Sequence, residues 1–195
     1  MSSGLEPDYP VTIGIAPAAP QSRLTIFFRL LMVIPHSIIL YALQIAAGVI
    51  SIIVWFVILI TGKYPAGLYS FTLGYFRWTT RVSGYVWLLT GVYPPFSLDD
   101  MPTYPIYPAV AEQLEGRNRL TTAFRFLLVI PHLIVLLFIV IAAQFVWIVA
   151  WFAGLIKGQV PDSFHNFLAG VLRWAQRVQA YGFYLVDPYP PFTLQ

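Results

Sequence analysis

The chain has 195 residues, of which 58% are hydrophobic, 17% are aromatic and only 10% are charged, and its formal net charge is +3. This number of charged residues is too small to cover the surface of a water-soluble globule. The composition therefore excludes an ordinary soluble domain and predicts a membrane protein. The absence of cysteine excludes disulfides and thiolate metal sites.

The sequence is a tandem duplication. The stretch FRLLMVIPHSIIL, which begins at Phe28, returns as FRFLLVIPHLIVL at Phe124, and residues 23–98 align with residues 119–194 without a gap. The duplication predicts four regions: an extended lead-in (1–21), a first membrane unit (22–98), a polar linker (99–117) and a second membrane unit (118–195).

Short extended segments are predicted ahead of both units. The lead-in contains Tyr9-Pro10-Val11, and the linker contains a similar Tyr104-Pro105-Ile106 at a spacing one residue shorter than that of the main repeat. The linker also holds four of the eight carboxylates and three prolines. We therefore expect the linker to lie outside the bilayer.

Two uncharged segments of 24 residues, Ser37–Ile60 and Leu133–Ile156, are each long enough to cross the roughly 30 Å hydrocarbon core as a helix. The apolar run in the first unit begins earlier, at Leu24, and is then too long for one straight crossing. Pro35 and Pro131 are expected to divide these runs, because proline removes an amide donor and clashes with the preceding turn.

The residues before each proline are predicted to form separate helices in the membrane interface, at Ser22–Ile34 and Asn118–Ile130. Such helices would sink an aliphatic face into the membrane while their arginines reach toward lipid headgroups. The arginines concerned are Arg23 and Arg29 in the first unit and Arg119 and Arg125 in the second.

The second half of each unit is predicted to be a helix with arginines at positions i and i+4, within Ala66–Thr90 and Asp162–Val186. Two arginines make a free crossing costly, so these helices favour the interface, where their tyrosines and tryptophans also fit. One crossing per unit would, however, give the two copies opposite orientations, and two crossings would keep them parallel. Both topologies stay open at this point.

The predicted fold is therefore an all-α integral membrane protein with two tandem units. Each unit consists of an interfacial helix, a transmembrane helix and an arginine-bearing amphipathic helix.

His36 and His132 are candidate binding residues because they occupy matching positions near the predicted membrane surface. Paired histidines could ligate a haem or chlorin, whereas the alternative is that each caps the start of its helix. His165 has no counterpart in the other unit, so a metal site with three histidines is not expected.

The arginine-bearing helices supply a candidate site for anionic lipid. Guanidinium groups bind phosphate with two parallel hydrogen bonds, and the alternative is a stripe that only sets the depth of the helix in the membrane. The four arginines of this site are Arg77, Arg81, Arg173 and Arg177.

No catalytic motif is present, and the eight carboxylates all lie outside the apolar segments. We therefore expect no enzyme and no nucleic-acid partner. The leading hypothesis is a non-catalytic accessory or scaffold subunit that packs against lipids and other integral membrane subunits. A haem-, pigment- or lipid-binding module is the alternative, and a small transporter or channel is third.

Each unit closes with an aromatic, proline-rich arm, Tyr93-Pro94-Pro95-Phe96 and Tyr189-Pro190-Pro191-Phe192. These arms should be stiff and should dock on a surface, either that of another molecule or that of their own unit. Together the motifs RLLxxIPH, GxYP, RWxxRVxxY and YPPF resemble an uncharacterised bacterial membrane-protein family of unknown function, present in two copies. The resemblance supports the membrane assignment and implies no known activity or cofactor. We expect a multi-pass protein of the inner (cytoplasmic) membrane.

Overall fold

The computed structural model describes residues 9–195. Two tandem helical units are joined by a small two-stranded ribbon, so the helical, two-unit organisation predicted from the sequence is confirmed. The elements in chain order are β1 (Val11–Ile15), α1 (Arg23–Thr61), α2 (Ala66–Val86), β2 (Ile106–Val110), α3 (Arg119–Lys157) and α4 (Asp162–Gly182). Residues 1–8 of the predicted lead-in lie outside the described residues.

Helices α1 and α3 each run for 39 residues with a proline inside them, so the predicted division at Pro35 and Pro131 is wrong. The interfacial helices predicted at Ser22–Ile34 and Asn118–Ile130 are the first turns of these long helices. A proline costs a helix one hydrogen bond and some strain, and neighbouring groups in a folded protein can offset that cost.

The closing arms pack beside each proline. The hydroxyl of Tyr93 donates to the carbonyl of Met32 at 2.9 Å, and the hydroxyl of Tyr189 donates to the carbonyl of Leu128 at 3.1 Å. These carbonyls lie in the helical turn just before each proline. The arm of each unit therefore packs on the same unit's long helix at the point where proline weakens it.

Glycine ends both long helices. Gly62 and Gly158 adopt the left-handed conformation, with φ of 69° and 74°, and their amides bond back to Ile58 and Gly154. Glycine populates this conformation without the steric cost that a Cβ atom brings. Each shorter helix then begins directly after a proline.

Helices α1 and α3 pack antiparallel and side by side. The indole of Trp55, near the end of α1, donates to the carbonyl of Thr122 at 3.1 Å, near the start of α3. The matching Trp151 of α3 donates to the carbonyl of Ile26 at 3.0 Å, near the start of α1. The two bonds tie both ends of the helix pair together.

Three layers follow from the remaining contacts. The α1–α3 pair packs on α2 and α4, and α2 and α4 in turn carry the ribbon of β1 and β2. The strands pair antiparallel with Ile13 opposite Pro108 at the centre, and buried Val11 and Ile13 alternate with exposed Thr12 and Gly14. Within the described residues the ribbon makes no contact with α1 or α3.

The outer face of the α1–α3 layer is apolar and uncovered. All but five of the exposed large apolar side chains of the described residues lie on these two helices. Four of the others, Tyr93, Phe96, Tyr189 and Phe192, lie in the closing arms, and the fifth, Val92, directly precedes the first arm. By length and composition, α1 and α3 are each apolar enough to cross a membrane.

Candidate functional site

A buried arginine caps the C-terminal end of the shorter helix in each unit. In the first unit the Arg29 guanidinium donates to the carbonyls of Tyr85 and Thr90 and, at 2.5 Å, to Gln21 Oε1. It also lies over the Tyr85 ring, 4.3 Å from the centroid. The last carbonyls of a helix lack partners and carry partial negative charge, so a cation stabilises this end.

Arg125 occupies the same place in the second unit. Its guanidinium donates to the carbonyls of Tyr181 and Val186, at 3.1 and 2.9 Å, and lies 4.3 Å from the centroid of the Tyr181 ring. In each unit the chain turns directly after the shorter helix through a residue in the left-handed conformation, Leu88 or Tyr184. The guanidinium groups hold the carbonyls on both sides of this tight turn, which offsets the strain of a non-glycine residue there.

These two arginines do not reach toward lipid headgroups, so that part of the sequence prediction is wrong. The exposed fraction of Arg29 is 0% and that of Arg125 is 1%, whereas Arg23 and Arg119 at the helix starts are exposed. Position along the segment could not distinguish the two kinds of arginine. The signal that could have done so is the helical stripe that Arg29 shares with Val33 and His36, which all face the core.

The second unit adds an acidic residue that the first unit lacks. Asp187 lies 2.8 Å from the Arg125 guanidinium and 3.3 Å from that of Arg117, which is also buried. Burial lowers the pKa of Arg117, and the Asp187 carboxylate opposes this shift. Among the described residues, Arg29 has no such carboxylate and relies on carbonyls and Gln21.

His36 and His132 lie in matching aromatic clusters. His36 Nδ1 accepts a hydrogen bond from the Trp78 indole at 3.1 Å, and its ring stacks on Phe96 with 3.8 Å between centroids. The counterparts of these contacts join His132 to Trp174 and Phe192, at 3.1 and 3.9 Å.

This geometry determines which nitrogen of each histidine carries the proton. An indole N–H only donates, so Nδ1 must offer its lone pair and the neutral ring then carries its proton on Nε2. No lone pair is left for a metal in this arrangement. The haem or chlorin that the sequence offered only as an alternative at His36 and His132 would require the tryptophan bond to break and the stacked arm to move.

Two of the four predicted lipid-binding arginines are buried and hold the closing arms. Arg81 donates to the carbonyls of Ser97 and, at 3.0 Å, Asp99. Arg177 donates to the carbonyl of Thr193 at 2.6 Å. Their exposed fractions are 1% and 9%, so their guanidinium groups are committed to backbone carbonyls inside the fold.

Arg77 and Arg173 are only partly buried and have separate partners. Arg77 lies 3.5 Å from the Asp100 carboxylate, and Arg173 donates to the carbonyl of Ile13 in β1 at 3.2 Å. Each of the four arginines thus has its own partner within the chain, and they do not share one ligand. Their binding of anionic lipid stays a prediction.

Repeated glycines explain how the arms fit so closely. A Cβ atom on Gly74 would lie 2.8 Å from Leu98 Cβ, and one on Gly170 would lie 2.6 Å from the carbonyl oxygen of Leu194. The two glycines occupy equivalent positions of the repeat, as do the two leucines, so the glycine, the arginine two turns later and the arm form one packing unit in each copy. The third histidine, His165, is buried beside the carbonyl of Leu89. The described residues contain no group of three metal-ligating side chains.

Comparison with known families agrees with the division of the chain into two units. The family model described as Domain of unknown function (DUF4389) matches residues 23–97 and again residues 119–193. Each match includes the capping arginine, the histidine cluster and the arm of one unit. No curated protein and no solved structure matches the chain.

Proposed function

The chain belongs to the DUF4389 family in two tandem copies, and we propose that it is a non-catalytic scaffold or accessory subunit of a complex in the bacterial inner membrane. Its helices would pack against lipid and against other integral membrane subunits. The observation that carries this proposal is the uncovered apolar face of α1 and α3.

This face is far larger than the apolar patches of water-soluble monomers. Those patches seldom exceed a few hundred Å², and larger ones mark contact with a membrane or a protein partner. Here exposed leucine, isoleucine and phenylalanine side chains extend from Leu24 to Ile60 on α1 and from Leu120 to Ile156 on α3. Such a surface requires a covering of lipid or protein.

The polar side chains of the family motifs support a structural role. The guanidinium groups of Arg29, Arg125, Arg81 and Arg177 cap helices or hold arms, and the histidines accept from tryptophans. A catalytic acid or base needs access to a substrate. These groups are instead enclosed by their own unit.

Capture of the tagged chain from native membranes in mild detergent tests the proposal. We expect the chain in the membrane fraction, a partner subunit in stoichiometric amount that recovers this chain when it is itself tagged, and no visible absorbance from the chain. Recovery of the chain alone would contradict the subunit role. Absorbance that is lost in both His36→Phe and His132→Phe would favour a pigment-binding module instead.

A further inference from the structure

The two units are related by a pseudo-two-fold axis that passes through all three layers. Thr80 of α2 donates to Gln176 of α4 at 2.8 Å, and these residues occupy the same position of the repeat. The ribbon is centred on Ile13 opposite Pro108, which are also equivalent when its shorter spacing is used. The reciprocal tryptophan bonds of α1 and α3 show the same symmetry.

This axis is perpendicular to the apolar face. The α1–α3 pair is centred on the axis in one outer layer, α2 and α4 cross it in the middle layer, and the ribbon lies on it in the other outer layer. Rotation about the axis exchanges the units but keeps every layer in its place. Both copies therefore present their long helices to the same side.

The length of the outer layer does not match the thickness of a bilayer. A helix of 39 residues is about 58 Å long, whereas the hydrocarbon core is about 30 Å thick. Apolar side chains are exposed along this whole length, from Leu24 to Ile60 on α1. Upright helices would leave much of this apolar surface in water.

Upright helices would also place the ribbon at the middle of the bilayer. The ribbon lies on the pseudo-two-fold axis, and this axis passes the midpoint of the long helices. The edges of a two-stranded sheet expose backbone groups, which lipid cannot satisfy. Asp100, held by Arg77 less than one turn of α2 from the axis, would lie at the same depth, and its side chain is 45% exposed. A half-exposed carboxylate at that depth is strongly unfavourable unless it faces protein or water.

We infer that the protein lies flat in one leaflet of the membrane, with α1 and α3 parallel to the membrane plane and the pseudo-two-fold axis along the membrane normal. Acyl chains cover the apolar face, and the ribbon faces water. This inference rests on the proposed membrane location and replaces both topologies, with two or with four crossings, that the sequence left open. It also removes the difficulty that similar copies would face opposite sides of the membrane.

The charges at the rim suit this orientation. Arg23 lies beside Gly158 at one end of the α1–α3 layer, and Arg119 lies beside Gly62 at the other. Lys157 adds a second exposed cation at the first end. Cations at the level of a buried apolar face meet lipid phosphates, as in other helices that lie in the interface.

Single cysteines test the orientation cleanly, because the chain has none of its own. Lys63→Cys and Gln159→Cys mark equivalent positions just after α1 and α3, and Thr12→Cys marks the exposed face of the ribbon on the axis. A membrane-impermeant maleimide is applied to intact spheroplasts and to inside-out vesicles. The same reaction in detergent gives the full extent of labelling at each position.

A flat protein should show the same ratio of outside to inside labelling at all three positions, and Thr12→Cys should react as fully in membranes as in detergent. Opposite ratios at Lys63→Cys and Gln159→Cys would overturn the inference, as would protection of Thr12→Cys in membranes. Recovery of the wild-type chain in the soluble fraction after lysis would instead contradict the proposed function. The two failures are therefore distinguishable.

Discussion

The first unit surrounds Arg29 with neutral groups, whereas the second unit places a carboxylate between Arg125 and a further arginine. Gln21 occupies the repeat position of Arg117, and Gly91 occupies that of Asp187. The extra cation and the extra anion occur together in one unit and are both missing from the other. The difference teaches that both caps keep the same net buried charge, one positive charge, although different side chains supply it.

The largest effect is expected from Asp187→Ala. This change leaves Arg117 and Arg125 buried without an anion and also removes the acceptor of the Asn118 amide at the start of α3. Removal of one partner from a buried ion pair costs about 3–5 kcal/mol. The free energy of unfolding in detergent should fall by this amount, with a matching fall in the thermal midpoint.

The double variant Arg117→Gln with Asp187→Gly is the matched control, because it gives the second unit the side chains of the first. It removes a cation and an anion together, so it should recover most of the stability that Asp187→Ala loses. A double variant as unstable as the single one would contradict the balanced-charge explanation. In that case the loss would come from the hydrogen bond to Asn118 or from packing.

A second difference between the units lies where the ribbon meets the helices. Gly84 of α2 faces Ile106 of β2, and a Cβ atom on Gly84 would lie 2.0 Å from Ile106 Cδ1. In the other unit the corresponding residues are Ala180 and Val11, so the larger helix residue comes with the smaller strand residue. The combined size of the helix side chain and the strand side chain is therefore the same in both units.

Gly84→Ala should therefore lower the free energy of unfolding by about 1–3 kcal/mol, the usual cost of overpacking a core. Adding Ile106→Val to this variant should restore much of the loss, which can be read from denaturation in detergent. Full stability of Gly84→Ala alone would mean that Ile106 moves aside without cost. The matched sizes of the two residue pairs would then contribute nothing to stability.

The sequence predicted the repeat, the starts of the shorter helices and the family, because hydrophobic periodicity and spacing are local signals. It did not predict that Pro35 stays inside a helix, since the arm that packs against the turn before it, through the Tyr93 hydroxyl, lies far along the chain. The inward direction of Arg29 depends in the same way on the distant end of α2. Long-range partners decide both cases, and a local pattern contains no information about them.

The ribbon shows the same limit. The echo between Tyr9-Pro10-Val11 and Tyr104-Pro105-Ile106 predicted two extended segments, but their pairing across the axis follows only from the way the two units pack. At the candidate site, the repeated histidines and arginines were found from the sequence. Their partners were not, because Trp78 and the arms approach them only in the folded unit.

The histidine clusters are the part in which the units agree most closely, and they give a smaller, symmetric prediction. Trp78→Phe and Trp174→Phe each remove one indole donor at 3.1 Å from a histidine. Each variant should lose about 0.5–1.5 kcal/mol, the net value of one hydrogen bond. Thermal unfolding in lipid nanodiscs should show equal losses. Clearly unequal losses would contradict equivalent environments for the two units.

The smallest effect is expected at Gly48, which lies in α1 where α3 has Gln144. A Cβ atom there would meet nothing within 4 Å in the chain. Since glycine inside a helix is less stable than alanine by about 0.5–1 kcal/mol, Gly48→Ala should raise the stability of the isolated protein by that amount. Gln144→Ala, the matched control, should change it by less, because glutamine is already a good helix former.

The same two variants also test whether the partner subunit binds at this position. If Gly48→Ala is more stable in detergent but no longer captures a subunit that Gln144→Ala still captures, the partner packs against Gly48. If both variants retain the subunit equally, the partner binds elsewhere, and the difference between the two long helices at this position is one of helix propensity alone.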